Sequence, residues 1–428
     1  MIEIQPIEKR IDTIVTVPGS KSYTNRALLV AALAKGHSRL IGALFSDDTR
    51  YMFEALRKLR VAIAANEERC TFEVVGSGGK ISVHRAELYI GNSGTAARSL
   101  VSYVALGNGE YVIDGDEPMR RTRPISDLLD ALQQLGVEAR AQFDNGCLPV
   151  IVRAKGLKGG RTRLNASKSS QFLTSLMLVA PYTESGIGIE IAGDLKTPYI
   201  DITMSVMKAF GVEVVNEDYR YFHIAGGQRY QPCVYTIEPD ASNASYFFAA
   251  AALTGGRIRV NDLNMNSLQG DIHFVHVLEQ MGCQVSQYEN LDSQTGIEVI
   301  GPQRLKGIEI DMKAISDTAL TLAAIAPFAD SKVIIRNIEH TRWQETDRIH
   351  AMVTGLRKLG VNVVERRDGV EIEPSKITPA EIDTYGDHRV AMSFSLIGLK
   401  VPGIRIKNPE CVSKTFPTFF DVLETLHY

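Results

Sequence analysis

Six times along the chain, a short polar cluster opens onto a run of Ala, Leu, Ser and Phe that is apolar on nearly every side. The runs read PGSKSYTNRALLVAAL from Pro18, GNSGTAARSLVSYVAL from Gly91, SKSSQFLTSLMLVAP from Ser167, DASNASYFFAAAAL from Asp240, ISDTALTLAAIAPF from Ile315 and GDHRVAMSFSLIGL from Gly386. A helix hydrophobic all round is a buried helix. With Lys21, Asn92, Ser169, Asp240, Asp317 and Asp387 as anchors, the spacings are 71, 77, 71, 77 and 70 residues. Between the runs lie amphipathic stretches that close on Leu59-Arg60-Val61, Leu135-Gly136-Val137, Phe210-Gly211-Val212, Met281-Gly282-Cys283 and Leu359-Gly360-Val361. A glycine there suits a left-handed helix end, and a β-branched strand follows. Repeats of this length are whole α/β units, each predicted as strands, helix, strands, helix around a small sheet.

A chain of 428 residues exceeds what one hydrophobic core usually serves, so two domains of three repeats each are expected. The sixth repeat stops after its second helix, and the N-terminal strand patterns, Ile2 to Ile7 and Thr13 to Val17, are available to complete it. That places residues 19–236 in one domain and residues 1–18 with 237–428 in the other. The chain then crosses between domains near Pro18-Gly19 and near Ile237-Glu238-Pro239.

Composition narrows the chemistry. Net charge is -3, which gives no global attraction to nucleic acid or a membrane surface. The five cysteines are scattered without C-x-x-C or His-spaced partners, which argues against a disulfide framework or structural zinc. The N-terminus lacks the apolar core of a signal peptide, so a cytoplasmic location is expected. A monomer is expected.

The polar clusters sit at helix starts, where free N–H groups and the helix dipole favour anions. If the buried helices of each domain point the same way, these starts converge on the cleft between domains. The first half offers Lys21, Ser22, Arg26, Asn92, Gly94, Thr95, Arg98, Arg120, Arg121, Arg123, Ser169, Ser170 and Gln171. The second offers Asp317, Glu345, Arg348, Asp387, His388, Arg389 and Lys414. Ser20 or Ser22 is a candidate cap for the first helix. Asp317 and Asp387 also read as simple N-caps, and Glu345 with Arg348 as an i,i+3 ion pair. There is no P-loop, no G-x-G-x-x-G and no nucleophilic Ser-His-Asp pattern. Two acids among many cations suggest proton transfer on substrates that carry phosphate and carboxylate groups.

These motifs, with MRRTRP, TPYIDIT, QETDR and SKTFP, resemble in order and over essentially the whole chain the 5-enolpyruvylshikimate-3-phosphate synthases. The resemblance implies a two-domain enolpyruvyl transferase fold of six α/β repeats, with the active site in the inter-domain cleft. It also implies transfer of the enolpyruvyl group of phosphoenolpyruvate to shikimate 3-phosphate, with release of phosphate and without metal or organic cofactor. Lys21, Ser22, Arg26, Ser169, Ser170, Gln171, Tyr199, Asp317 and Gln344 would then meet shikimate 3-phosphate. Lys21, Gly94, Arg123, Gln171, Arg348, Arg389 and Lys414 would meet phosphoenolpyruvate. Asp317 would take the proton of the attacking 5-hydroxyl. Glu345, helped by Lys21, would protonate the methylene, with His388 close to the reacting groups.

The chain departs from the family's pattern at Gln344, commonly Lys, at His340, commonly Asn, and at Ser99, commonly Pro. The family's frequent Ser near Lys196 and Thr197 is also absent. Two rivals share the implied fold. One is the enolpyruvyl transferase acting on UDP-N-acetylglucosamine, whose usual loop Cys has no counterpart in Asp114–Pro124. The other is a non-catalytic anion-binding protein, against which the paired acids Asp317 and Glu345 argue.

Overall fold

The six apolar runs are buried helices, Lys21–Leu33, Gly94–Val104, Gln171–Val179, Ala241–Thr254, Ala319–Ile325 and His388–Gly398, in the computed structural model, which describes residues 1–289 and 295–428. Every residue of Gly94–Val104 and of His388–Gly398 is buried, polar ones included. The intervening helices are one-sided: Ser126–Gln134 buries Leu128, Leu129, Ala131 and Leu132 and leaves its Gln side wet.

The four-stranded sheets follow one plan, a parallel pair of strands followed by two antiparallel ones, and the three-stranded sheet has a parallel pair and one antiparallel strand. Among the described residues five sheets have four strands and one has three. In the second repeat, Arg85–Tyr89 runs parallel to Asn108–Asp114, which pairs antiparallel with Val150–Lys155, and Glu138–Ala141 forms the edge. One face of each sheet carries the core residues, as the period of two requires.

The chain divides into two compact units, Gly19–Ile237 and Met1–Pro18 together with Glu238–Tyr428. In the unit Gly19–Ile237, the first repeat takes its leading strand from the far end of the segment. Val234–Thr236 pairs in parallel with Arg39, Leu40 and Ile41. In the other unit the two N-terminal strands part company, whereas the sequence suggested that both serve the sixth repeat. Ile2–Glu3 pairs antiparallel with Arg405–Ile406 of that repeat, and Asp12–Val15 leads the fourth repeat's sheet, in parallel with Arg257–Val260. The register of Asp12–Val15 places Val15 in the core and leaves Asp12 to pair with Arg259 at 2.5 Å.

Backbone geometry explains two local choices. A Cβ on Gly19 would lie 1.9 Å from the carbonyl oxygen of Gly42, so only glycine fits there. Gly136, Gly211, Gly282 and Gly360 end their helices at φ between 79° and 102°, and Arg60 takes the same left-handed position at 69°. The first repeat thus holds a bulky residue where its relatives hold glycine, at a conformational cost of about 1–2 kcal/mol.

Candidate active site

In the unit Gly19–Ile237, three buried helix starts are tied together by polar contacts. Lys21 pairs with Asp48 at 3.4 Å, and the Asp48 carbonyl accepts from Ser93 Oγ, at the mouth of the second helix. Gln171 Nε2 donates to Thr95 Oγ1 at 3.1 Å, which joins the second and third helix starts. Arg26 joins the first and third. Its guanidinium donates to Thr203 Oγ1, Thr174 Oγ1 and the carbonyls of Ser22 and Tyr199, so four of its five N–H groups serve protein acceptors. Burial pulls its pKa down to about 10.

Ser20 occupies the N-cap of the first helix, yet neither it nor Ser22 caps it: no side-chain bond is made there. Ser170 behaves alike, while Ser169 Oγ accepts from the Gln171 amide at 3.2 Å. The first helix start, left uncapped, keeps the anion preference that a side-chain carboxylate would have spent. Gly94 has a different role. A Cβ there would lie 2.1 Å from Arg98 Nη1 and 2.5 Å from Arg123 Nη2, so the glycine lets two guanidinium groups close over the helix start. Arg123 Nη1 is held by the Asn92 carbonyl and side chain at 2.9 and 2.6 Å. Its neighbours in the same loop turn outward: Arg120 pairs with Asp114 and Arg121 with Glu117, both on the surface.

The unit that holds residues 238–428 carries a continuous ion network. Lys414 Nζ donates to Glu345 Oε1 at 2.8 Å, and Glu345 Oε2 accepts from Arg348 at 2.9 Å. Arg348 also reaches Asp317 Oδ1 at 3.1 Å, both oxygens of Asp387 at 2.8 and 3.2 Å, and Gln344 Oε1. Asp317 Oδ2 then accepts from Arg389 Nη2 at 2.9 Å, and Arg389 Nη1 donates to the Tyr246 hydroxyl at 3.3 Å. Burial works against the charge on Arg348. The carboxylates of Asp387, Glu345 and Asp317 outweigh it and hold its pKa above the ordinary range.

Asp387 is an N-cap, accepting from the Arg389 amide, and an arginine clamp as well. Asp317 is not a cap: it sits in the turn Lys313–Thr318 ahead of its helix, and its carboxylate bridges two arginines. Glu345 precedes its helix, so its ion pair with Arg348 is a loop-to-helix contact. His388 is fully buried at the first position of the sixth helix, with Nδ1 3.6 Å from Asp387 Oδ1. His340 Nε2 lies 2.8 Å from the hydroxyl of Ser316, next to Asp317.

Sequence reasoning missed Asp48, which pairs with Lys21, and Tyr246, which lies inside an apolar run where only its hydroxyl gives a signal.

The family model for EPSP synthase (3-phosphoshikimate 1-carboxyvinyltransferase) matches residues 6–423. The chain belongs to the EPSP synthase family. It is 50% identical over 420 residues to the 3-phosphoshikimate 1-carboxyvinyltransferase of Trichormus variabilis, covering 98% of this chain and 97% of that one. It is 45% identical over 430 residues to the enzyme of that name from Vibrio vulnificus, covering 99% and 98%. The solved EPSP synthase of Acinetobacter baumannii superposes with a TM-score of 0.83 at 26% identity, covering 99% of this chain and 97% of that one. The α/β repeat architecture is thus that of EPSP synthases. No helix among the described residues is long and apolar enough to cross a membrane.

Proposed function

We propose that this chain, as a cytoplasmic monomer, transfers the enolpyruvyl group of phosphoenolpyruvate to the 5-hydroxyl of shikimate 3-phosphate and releases phosphate. Family membership supports the reaction. The observation that carries the mechanism is the network in which both proposed proton carriers, Asp317 and Glu345, are bound to the cations proposed for phosphoenolpyruvate.

In this reading Lys21, Ser22, Arg26, Ser169, Ser170, Gln171, Tyr199, Asp317 and Gln344 hold shikimate 3-phosphate. Arg26 does so mainly as a strut that fixes the Tyr199 segment against the first helix. Gly94, Arg123, Arg348, Arg389 and Lys414, with Lys21 and Gln171, hold phosphoenolpyruvate. Asp317 accepts the proton of the 5-hydroxyl as that oxygen attacks C2. Glu345, with Lys21, gives a proton to C3, so that C2 becomes electrophilic. The tetrahedral adduct then expels phosphate, and the Glu345 carboxylate takes a proton back from C3 to form the enol ether of the product. His388, buried at the start of the helix that bears Arg389, stands close to the reacting groups.

The deciding experiment measures phosphate release from phosphoenolpyruvate. Release that requires shikimate 3-phosphate, and does not occur with UDP-N-acetylglucosamine, is expected. Release with the nucleotide sugar alone, or none with either acceptor, refutes the assignment.

A further inference from the structure

A buried carboxylate lies behind the network and takes no part in the mechanism above. Asp271, on the turn Gly270–His273, is 6% exposed. Its Oδ2 accepts from the hydroxyl of Ser242, and among the described residues no cation comes within ion-pair distance of it. The turn is fixed on the start of helix Ala241–Thr254: Gln269 accepts from the Ala241 amide at 3.1 Å and donates to the Pro239 carbonyl at 2.7 Å. It also packs on the turn Lys313–Thr318, which bears Asp317.

Ser242 and Tyr246 are four residues apart on one helix, hence one turn apart on one face. Ser242 holds Asp271, and Tyr246 holds Arg389. The same face therefore sets Asp271 near the guanidinium that also binds Asp317, beyond ion-pair distance but within reach of its charge. We propose that Asp271 is a proton-linked positioning residue for phosphoenolpyruvate. As a carboxylic acid it leaves the charge of Arg389 to the substrate; as a carboxylate it competes for that charge.

The setting lets Asp271 change its charge near pH 7. Burial, then the charge of Asp317, pushes the Asp271 carboxyl up to about 7, against the opposing pull of Arg389 and the Ser242 hydroxyl. The other groups on the elements packed there are Asp240, which raises it further, Tyr246, Lys313 and His273. His273 is lowered by burial and by His276, so it titrates below the window of Asp271. A substrate anion arriving at Arg389 adds negative charge near Asp271 and raises its proton affinity further. Binding and protonation are then mutually favourable, and the substrate KM must rise as pH passes through 7. A shift of one pKa unit on binding corresponds to a tenfold rise in KM across the window.

The inference rests on the reaction proposed above. Its test is the KM for phosphoenolpyruvate at saturating shikimate 3-phosphate between pH 6 and 9, for wild type, Asp271→Asn and Ser242→Ala. Ionisation of the substrate is common to all three, so differences between the profiles isolate Asp271. Wild type should show a rise of about three- to tenfold centred near pH 7. Asp271→Asn should keep the low-pH KM throughout. Ser242→Ala, which loses a donor to the charged form, should move the rise to higher pH. This variant still decides the matter if Asp271→Asn does not fold, and a purely structural Asp271 would leave the midpoint where it is. A wild-type rise preserved in Asp271→Asn, or an unmoved midpoint in Ser242→Ala, overturns the inference and leaves the reaction standing. Absence of phosphate release dependent on shikimate 3-phosphate overturns both.

Discussion

Replacing Arg348 with Met tests whether the ion network is also a structural element. Its side chain is 3% exposed, and Asp387, which it clamps through two oxygens, is 0% exposed. Methionine keeps the bulk of the aliphatic stem and removes five N–H groups. Asp387 keeps the Arg389 amide at 2.9 Å, while Asp317 keeps Arg389 and Glu345 keeps Lys414. Breaking a buried pair by removing one partner costs about 3–5 kcal/mol. The partners that remain place this case near 3 kcal/mol. Trp343, the one tryptophan of the chain, lies a few residues before Arg348, so its fluorescence follows this unit during urea unfolding. The double variant Arg348→Met with Asp387→Leu removes both charges and should recover part of the loss. A cost below about 1 kcal/mol for Arg348→Met, or a double variant worse than the sum of its parts, would show that the clamp is energetically idle.

Asp317→Asn and Glu345→Gln should each lower kcat by about a hundredfold or more while binary binding of shikimate 3-phosphate, measured calorimetrically, stays within a few-fold; normal turnover in either variant removes the role given to that residue. Arg60→Gly should stabilise the protein by up to about 1 kcal/mol, since relief of the left-handed strain exceeds the added backbone entropy of glycine; a lower Tm would contradict this. Asp271 binds its proton more tightly folded than unfolded, so its contribution to stability is complete below about pH 4 and is lost as pH rises to about 7. Three pKa units correspond to about 4 kcal/mol. Asp271→Asn should therefore gain on wild type in urea unfolding as pH increases from 4 to 8, and a pH-independent difference would refute it.

Periodicity exposed the repeats because six helices with no polar face cannot be surface helices, whatever else the chain does. It could not assign the N-terminal strands. Two short extended segments satisfy any open sheet edge equally well, and only packing sends Ile2–Glu3 to one sheet and Asp12–Val15 to another. The candidate cations were legible as clusters, yet a cluster does not reveal direction. Arg120, Arg121 and Arg123 are near neighbours in sequence, and a five-residue helix turns the first two to the surface. Asp317 looked like a cap because it directly precedes a helical run; the extra turn Lys313–Thr318 moves it off the cap position and toward the arginines. Asp271 was invisible because burial, which creates its altered proton affinity, is a property of packing and not of its neighbours in sequence.

The network bears on how Glu345 could act as an acid in the proposed reaction. Its assigned role needs a protonated acid, but arginine and lysine beside it favour the carboxylate. Three cations, Arg348, Arg389 and Lys414, face three carboxylates, Asp317, Glu345 and Asp387, so an incoming anion finds charges already matched. To bind, it must take Arg348 and Lys414 from Glu345. A charge pair at about 4 Å contributes roughly 4 kcal/mol at an effective dielectric near 20. Even a quarter of what two such contacts supply exceeds one pKa unit, and the substrate's own negative charge pushes in the same direction. On the proposed reaction, the ligand takes over the two cations whose contacts oppose a proton on Glu345, so the acid is readied by the ligand it acts on.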